Sequence, residues 1–67
     1  MAVARVTEIS STSSTNFDDA IQQGIARATK TLRNVRSAWV KEQRVDIKDD
    51  RITQYQVNLM VTFVLDD

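Results

Sequence analysis

The sequence predicts an α+β fold in which three strands and one helix follow in the order β-α-β-β. Two changes of hydrophobic period carry this prediction. Apolar residues recur at helical spacing between residues 16 and 34, whereas from Val35 onward they alternate with polar residues, as in half-buried strands. A looser alternation from Ala2 to Ile9 precedes the helix and predicts the first strand.

The helix is predicted from its cap and from one apolar stripe. Ser10 to Thr15 is a run of small hydroxyl residues without periodicity, which predicts a loop. Asn16 can cap the helix that follows, and Asp18 and Asp19 fall in the first turn, where the helix dipole favours negative charge. The helix is predicted to end near Asn34. Its stripe consists of Phe17, Ala20, Ile21, Gly24, Ile25, Ala28 and Leu32.

The second and third strands are predicted to form a hairpin. Alternation runs from Val35 to Ile47 and again from Ile52 to Leu65, and the segment between them, Lys48 to Arg51, is typical of a polar turn. One face of the third strand is continuously apolar, so we expect the helix stripe to pack on it. Its residues are Tyr55, Val57, Leu59, Val61, Phe63 and Leu65.

Trp39, the only tryptophan, is predicted to lie on the sheet face that the helix does not cover. A symmetric turn pairs it with Met60 and pairs Gln43 with Gln56, so that Trp39, Met60 and Gln56 share this face. Strict alternation sends Arg44 to the helix side. An exposed tryptophan of this kind is covered by another subunit or stacks on a planar ligand, and the residue pattern leaves both readings open.

Composition favours self-assembly over catalysis. A chain of 67 residues has a marginal core, which is usually supplemented by disulfides, a metal or oligomerisation. The chain contains no Cys and no His, which removes disulfides, thiolate metal sites and the commonest general base. A three-stranded sheet with a second, half-apolar face also leaves surface and edges to be covered. We therefore expect an oligomer with no catalytic residues and no metal site.

Charge and hydropathy limit the other partners. The nine basic and nine acidic residues cancel, which predicts no electrostatic affinity for nucleic acid or for an anionic membrane. No apolar run approaches the roughly 20 residues that span a bilayer, and the N-terminus lacks the apolar stretch of a signal peptide. We expect one domain over residues 1–67, in the cytoplasm. The acidic pairs Asp49-Asp50 and Asp66-Asp67 are more typical of a solvated turn and a frayed terminus than of a calcium site.

In its order of elements and in several short motifs, the chain resembles the dodecin family over essentially its whole length. The motifs are Thr12-Ser13, the helix end from Ala26 to Val35, Glu42-Gln43-Arg44, Tyr55-Gln56-Val57 and the ending from Val61 to Asp66. The resemblance implies one helix against a curved antiparallel sheet. It also implies a hollow homododecamer of 23-type cubic symmetry, with flavin, as FMN or riboflavin, bound between subunits.

The resemblance also implies the binding residues. In flavin-binding members a Trp near the start of the second strand stacks on the isoalloxazine ring, and a Gln in the third strand hydrogen-bonds its polar edge. Gln56 matches this Gln, and Arg44 matches a basic residue near the ligand in bacterial members. Alignment on Asn34-Val35 places Ser37 at the position of the Trp. Trp39 therefore follows two residues later, on the same face and about 6.5–7 Å along the strand.

Two functions follow as hypotheses. The first is non-catalytic storage and sequestration of a flavin by the shell, with Trp39, Gln56, Ser37 and Arg44 as the binding residues. The alternative is a dodecin-like shell with weak or no flavin binding, which acts as a scaffold, an ion store or a carrier of another ligand. The position of the tryptophan, at residue 39 with Ser at residue 37, distinguishes the two hypotheses. Other departures from the family pattern are Ser11, where a Gly usually precedes Thr-Ser, Val45, where a Gly often follows the Arg, and Val64, where some members carry Arg.

Overall fold

A computed structural model describes residues 2–65 and contains the predicted order of elements. They are β1 (Ala4–Ser13), α1 (Phe17–Thr31), β2 (Val35–Lys48) and β3 (Arg51–Val64). β3 is the central strand of the sheet and runs antiparallel to β1 on one side and to β2 on the other. The α+β fold class and the β-α-β-β order are confirmed.

α1 begins as predicted but ends earlier. The side chain of Asn16 accepts a hydrogen bond from the Asp19 N–H at 2.7 Å, and both aspartates lie in the first turn. The helix ends at Thr31, because Leu32 has an extended backbone. Asn34 then adopts the left-handed conformation, with φ of 59°, which Asn tolerates better than most residues. The prediction of a helix to about residue 34 is therefore too long by about one turn.

The core lies between α1 and one face of the sheet. Its fully buried members are Ala20, Val57, Leu59 and Val61. The half-buried apolar residues packed against them are Ile9, Phe17, Ile21, Ile25, Leu32 and Val35. The predicted helix stripe and the predicted apolar face of the third strand are confirmed. Leu65 lies just after the end of β3 and is 43% exposed.

β1 is longer than the sequence predicts, because the hydroxyl run continues the strand instead of forming a loop. Its pairing with β3 is unbroken as far as Ser13, which lies opposite Tyr55. The hydroxyl groups on the helix side find partners on α1. The Ser11 hydroxyl donates to the Ala20 carbonyl at 2.7 Å, and the buried Ser13 hydroxyl donates to the Asp19 carboxylate at 2.6 Å. These tertiary contacts outweigh the low strand preference of serine.

α1 approaches β1 and β3 most closely at Gly24. A Cβ atom built on this glycine lies 3.0 Å from Cβ of Ser11 and 3.1 Å from Cδ1 of Leu59. Both distances are shorter than ordinary van der Waals contact between carbon atoms. The glycine therefore allows the helix to sit against the serine-rich part of β1, at a cost in helix propensity of about 1 kcal/mol.

β2 and β3 form a hairpin of two 14-residue strands. Asp49 and Asp50 form its turn with φ values of 51° and 63°, as a two-residue turn of type I′ requires. β1 pairs only with the stretch of β3 from Tyr55 to Val64, so the end of the hairpin projects beyond it. The protomer is accordingly elongated, with extents of 51 × 19 × 13 Å.

Two register shifts change the predicted pairing in the middle of the hairpin: one between Asp46 and Ile47, which skips Thr53 of β3, and a β-bulge in β2 that restores the predicted register. Trp39 lies opposite Met60, as predicted. Further along, Val40 and Glu42 lie opposite consecutive residues of β3, so that Lys41 is the extra residue of the bulge. Such an insertion reverses the face of the sheet to which each following side chain of the bulged strand points. A further irregularity falls between Val35 and Ser37.

Because of this reversal, Arg44 lies on the opposite face of the sheet from the one predicted. Arg44, not Gln43, lies opposite Gln56, and Gln43 lies opposite the buried Val57. Strict alternation predicted Arg44 on the helix side, which is wrong. The bulge turns its side chain to the same face as Gln56, where the two side chains are hydrogen-bonded.

Candidate functional site

The sheet face that α1 does not cover, which we call the open face, carries side chains in rows across β1, β3 and β2. Strand pairing places Val6, Thr62 and Ser37 in one row, Glu8, Met60 and Trp39 in the next, then Ser10, Asn58 and Glu42, and finally Thr12, Gln56 and Arg44. We call the second of these the tryptophan row and the last the glutamine row. The open face therefore has a more apolar half and a polar half.

Side-chain hydrogen bonds hold Gln56 to Arg44 in its own row and to Ser10 and Asn58 in the neighbouring row. The Arg44 Nε–H donates to Oε1 of Gln56 at 3.2 Å. The Gln56 amide nitrogen Nε2 donates to the Ser10 hydroxyl at 2.9 Å and, at a longer 3.4 Å, to Oδ1 of Asn58. The chain of bonds crosses all three strands, so the backbone of the sheet fixes the position of the Gln56 amide.

A small cavity of about 110 Å³ lies beside this amide. It is lined by Glu42, Gln43, Arg44, Gln56 and Asn58. Its walls are amide, guanidinium and carboxylate groups, which can donate and accept hydrogen bonds to a polar molecular edge. The polar half of the open face thus has both a concave surface and oriented polar groups.

The tryptophan row provides an aromatic surface. Trp39 is 52% exposed, and it lies opposite Met60, which in turn lies opposite Glu8. The Lys41 ammonium group binds the Glu8 carboxylate at 3.1 Å, so the bulge residue reaches across to β1 on this face. Half of the indole is accessible to a planar molecule or to another protein surface.

The structure brings together only some of the sequence-predicted binding residues. Gln56 and Arg44 are in direct contact. Trp39 lies opposite Met60, four residues from Gln56 on β3, which is about 13–14 Å along the strand. Ser37 lies opposite Thr62, six residues from Gln56 and about 20 Å away. All four share the open face, with the aromatic and amide groups in different halves.

Ser10 and Asn58 are binding-site candidates that sequence reasoning missed. Ser10 falls in the hydroxyl run that was predicted to be a loop, and its role depends on the extension of β1. The sequence did contain one indication of this role. Ser10 continues the alternation of Val6 and Glu8, which places it on the same face of β1 as these residues. Asn58 lies between Gln56 and Met60 on the predicted open face, and only the hydrogen bond from Gln56 distinguishes it.

The described part of the chain contains neither a cluster of metal-ligating side chains nor a helix that could span a membrane. Within residues 2–65, no group of three or more acidic, His or Cys side chains is arranged to hold a metal ion. The single helix in that range is too short and too polar to cross a lipid bilayer. The acidic pair Asp66-Asp67 lies outside the described residues.

The fold and the open face define a class of protein: a small β-α-β-β domain with its core on one sheet face and amide, guanidinium and aromatic groups exposed on the other. The sequence model of the dodecin family matches residues 3–66, and the chain belongs to the dodecin family. The resemblance stated from the sequence motifs is thereby confirmed.

Individual relatives agree with this assignment. The dodecin of Thermus thermophilus is 40% identical over 65 residues, which cover 97% of this chain and 94% of that protein. The solved structure of a dodecin from Streptomyces davaonensis is 41% identical, with a TM-score of 0.93 over 98% of this chain and 97% of that one. A more distant structure is the calcium dodecin of Mycobacterium tuberculosis, described as having a novel calcium-binding site. It is 29% identical, with a TM-score of 0.82 over 96% of this chain and 91% of that one.

Proposed function

We propose that this protein binds a flavin of the FMN or riboflavin type and stores it without catalysing a reaction. The binding unit is a hollow homododecamer of 23-type symmetry in the cytoplasm, with no nucleic-acid or membrane partner. The observation that carries the proposal is the open face itself. It combines a half-exposed tryptophan with an oriented glutamine amide on one rigid sheet.

Uncovered apolar surface supports the assembly part of the proposal. Besides Trp39, Val6 is 44% exposed, and Ile47 and Ile52 at the end of the hairpin are 67% and 52% exposed. A small protomer with a marginal core gains stability when such side chains are covered by further copies. A second copy also offers a way to bring a tryptophan next to a glutamine row, since the two are about 13–14 Å apart within one protomer.

The chemistry of the open face supports a flavin as the ligand. Stacking of a planar ring on an aromatic side chain contributes about 1–3 kcal/mol in nucleic-acid binders, and we expect flavin stacking to be similar. Gln56 and Arg44 together add hydrogen bonds to the pyrimidine-like edge, each worth about 0.5–1.5 kcal/mol net. Stacking also quenches the excited flavin, so storage and photoprotection follow from the same contact.

Fluorescence titration of the ligand-free protein with FMN, riboflavin and lumichrome tests the proposal. We expect quenching of flavin emission at micromolar concentrations. Trp39→Ala removes the stacking surface and should weaken binding by about 5- to 150-fold, the factor that 1–3 kcal/mol represents. Val40→Ala is the matched control, because it removes apolar surface from the opposite face of the same strand.

Three outcomes contradict parts of the proposal. If the unmodified protein quenches none of the three flavins, storage of flavin is wrong. If Trp39→Ala breaks the assembly and leaves flavin affinity intact, Trp39 is an anchor between subunits and not a stacking residue. Light scattering reports the assembly independently, and a stable monomer contradicts the shell.

The alternative function, a shell that binds little or no flavin and serves as a scaffold, an ion store or a carrier, is favoured by one observation. Ser37 stands where the flavin-binding pattern has its tryptophan. Ser37→Trp distinguishes the two functions: a large gain of flavin affinity in this variant, starting from no affinity in the unmodified protein, supports the alternative. Calorimetric titration with Ca²⁺ tests the ion-store form directly.

A further inference from the structure

We propose that Ser10 is a positioning residue for ligand recognition. Together with Arg44 it holds the Gln56 amide in one orientation, and this orientation makes the glutamine row selective for a cyclic imide edge, –CO–NH–CO–. The inference rests on the proposed function and deepens it, because it names the chemical group by which the ligand is recognised. Neither the sequence motifs nor the family resemblance points to Ser10.

The orientation of the amide follows from the chemistry of its neighbours. A guanidinium group only donates hydrogen bonds, so the Gln56 atom at 3.2 Å from Arg44 Nε must be the carbonyl oxygen Oε1. The amide nitrogen then faces the Ser10 hydroxyl at 2.9 Å, and the hydroxyl oxygen accepts. Rotation of the amide by 180° would place its N–H groups against the guanidinium. Ser10 and Arg44 thus favour the same orientation from opposite strands.

This orientation determines which hydrogen bonds remain for a ligand. The two Gln56 N–H groups are directed to Ser10 and Asn58. Oε1 has two lone pairs and uses one for Arg44, so one acceptor position remains. The Arg44 side chain uses Nε and keeps the N–H groups of its two terminal nitrogens. The glutamine row therefore presents one acceptor beside several donors.

A cyclic imide matches this arrangement. Its N–H donates to the free lone pair of Gln56 Oε1, and a flanking carbonyl oxygen accepts from Arg44. FMN, riboflavin and lumichrome all carry this group. A ring methylated at the imide nitrogen (N3) has no proton to donate and directs a methyl group at Oε1. A site built to hydrogen-bond a particular group rejects analogues that lack it, because its own polar atoms are left unpaired.

Comparison of riboflavin with its N3-methyl analogue tests the inference. We expect the unmodified protein to prefer riboflavin by about tenfold or more, corresponding to one unpaired polar group. Ser10→Ala removes one of the two groups that orient the amide and should reduce this ratio several-fold. Ser10→Thr keeps the hydroxyl and should preserve it. Ser14→Ala, which removes an exposed hydroxyl from the segment before α1, is the control and should leave it unchanged.

The outcomes separate this inference from the proposed function. If neither flavin binds to the unmodified protein, the proposed function is wrong. If both bind and Ser10→Ala keeps the original preference, the positioning role of Ser10 is wrong while flavin storage stands. If the unmodified protein does not discriminate between the two flavins, recognition of an imide N–H is wrong.

A ligand-free measurement tests the Ser10–Gln56 contact itself. Ser10→Ala, Gln56→Ala and the double variant form a double-mutant cycle in melting temperature. If the two side chains are bonded as described, the shift of the double variant is smaller than the sum of the single shifts. Additive shifts mean that the two side chains do not interact, and they overturn the inference whatever the flavin result.

Discussion

The two faces of the sheet are made from the same strands and have opposite characters. On the helix-covered face, Val57, Leu59 and Val61 are at most 1% exposed and make purely apolar contacts in the core. On the open face, Gln56 and Asn58 are only partly buried, Ser10 is exposed, and the three make hydrogen bonds. Because side chains alternate along a strand, one segment of β3 contributes residues to both the core and the candidate site. Substitutions one residue apart should therefore have different consequences.

The largest difference is expected from Leu59 and its neighbour Met60. Leu59→Ala creates a cavity in the core and should lower the free energy of unfolding by about 2–5 kcal/mol. Met60→Ala removes a half-buried side chain from the open face and should cost about 1 kcal/mol. Denaturant unfolding of the two variants under identical conditions measures both. Equal losses would show that the open face is packed as tightly as the core.

The contrast also shows what the sequence could predict. On the helix-covered face the spacing of apolar residues in the sequence matches their burial closely, because a misplaced side chain there costs several kcal/mol. The helix stripe and the apolar face of β3 were therefore predicted correctly. On the open face the pairing of Trp39 with Met60 was also correct, because the two register shifts that lie between it and the turn, one at Asp46/Ile47 and one at Lys41, cancel.

The errors arise where local pattern is overridden by tertiary contacts. The register shift at Asp46/Ile47 and the bulge at Lys41 involve no Gly or Pro, so nothing in the sequence reveals them, yet together they place Arg44 opposite Gln56. The strand at Ser10 to Ser13 was predicted as a loop, because its stability comes from pairing with β3 and from hydroxyl bonds to α1. The contact of Ser10 with Gln56 depends on this extension.

A second comparison concerns the tightest contact on the helix-covered face. Gly24→Ala places a methyl group against Ser11 and Leu59. Overpacking of this kind costs about 1–3 kcal/mol, which exceeds the gain in helix propensity of about 1 kcal/mol, so we expect a net loss of about 1 kcal/mol. Thermal unfolding measures the effect. A stabilised variant would mean that the helix can move away without loss.

Substitution of Ser11 sharpens this prediction. Ser11→Gly removes a side chain that Gly24→Ala would meet. The combined variant should be more stable than the sum of the two single effects predicts, by about 0.5–3 kcal/mol of coupling. Additive effects would show that Leu59, not Ser11, limits the approach of the helix.

A smaller effect is expected at the hairpin turn, which belongs to neither face. Asp50 has φ of 63°, a conformation that Asp adopts at some cost and Gly at none. Asp50→Gly creates the Asp-Gly pair favoured in type I′ turns and should raise the free energy of unfolding by up to about 1 kcal/mol. Asp46→Gly, inside β2, is the control and should be destabilising. A loss of stability in Asp50→Gly would mean that its carboxylate makes a contact in the assembly.

The smallest effect is expected from the ion pair on the open face. Lys41 and Glu8 are 3.1 Å apart with side chains 50% and 41% exposed, so water and salt screen their attraction. Pairs of this kind contribute about 0.2–1 kcal/mol. A double-mutant cycle with Lys41→Met and Glu8→Gln should give a coupling in this range that declines as salt is raised. A coupling above about 2 kcal/mol that salt does not change would show that the pair is buried by another copy. The same cycle then reports whether the tryptophan row, which contains Glu8, is covered in the assembly or left open to a ligand.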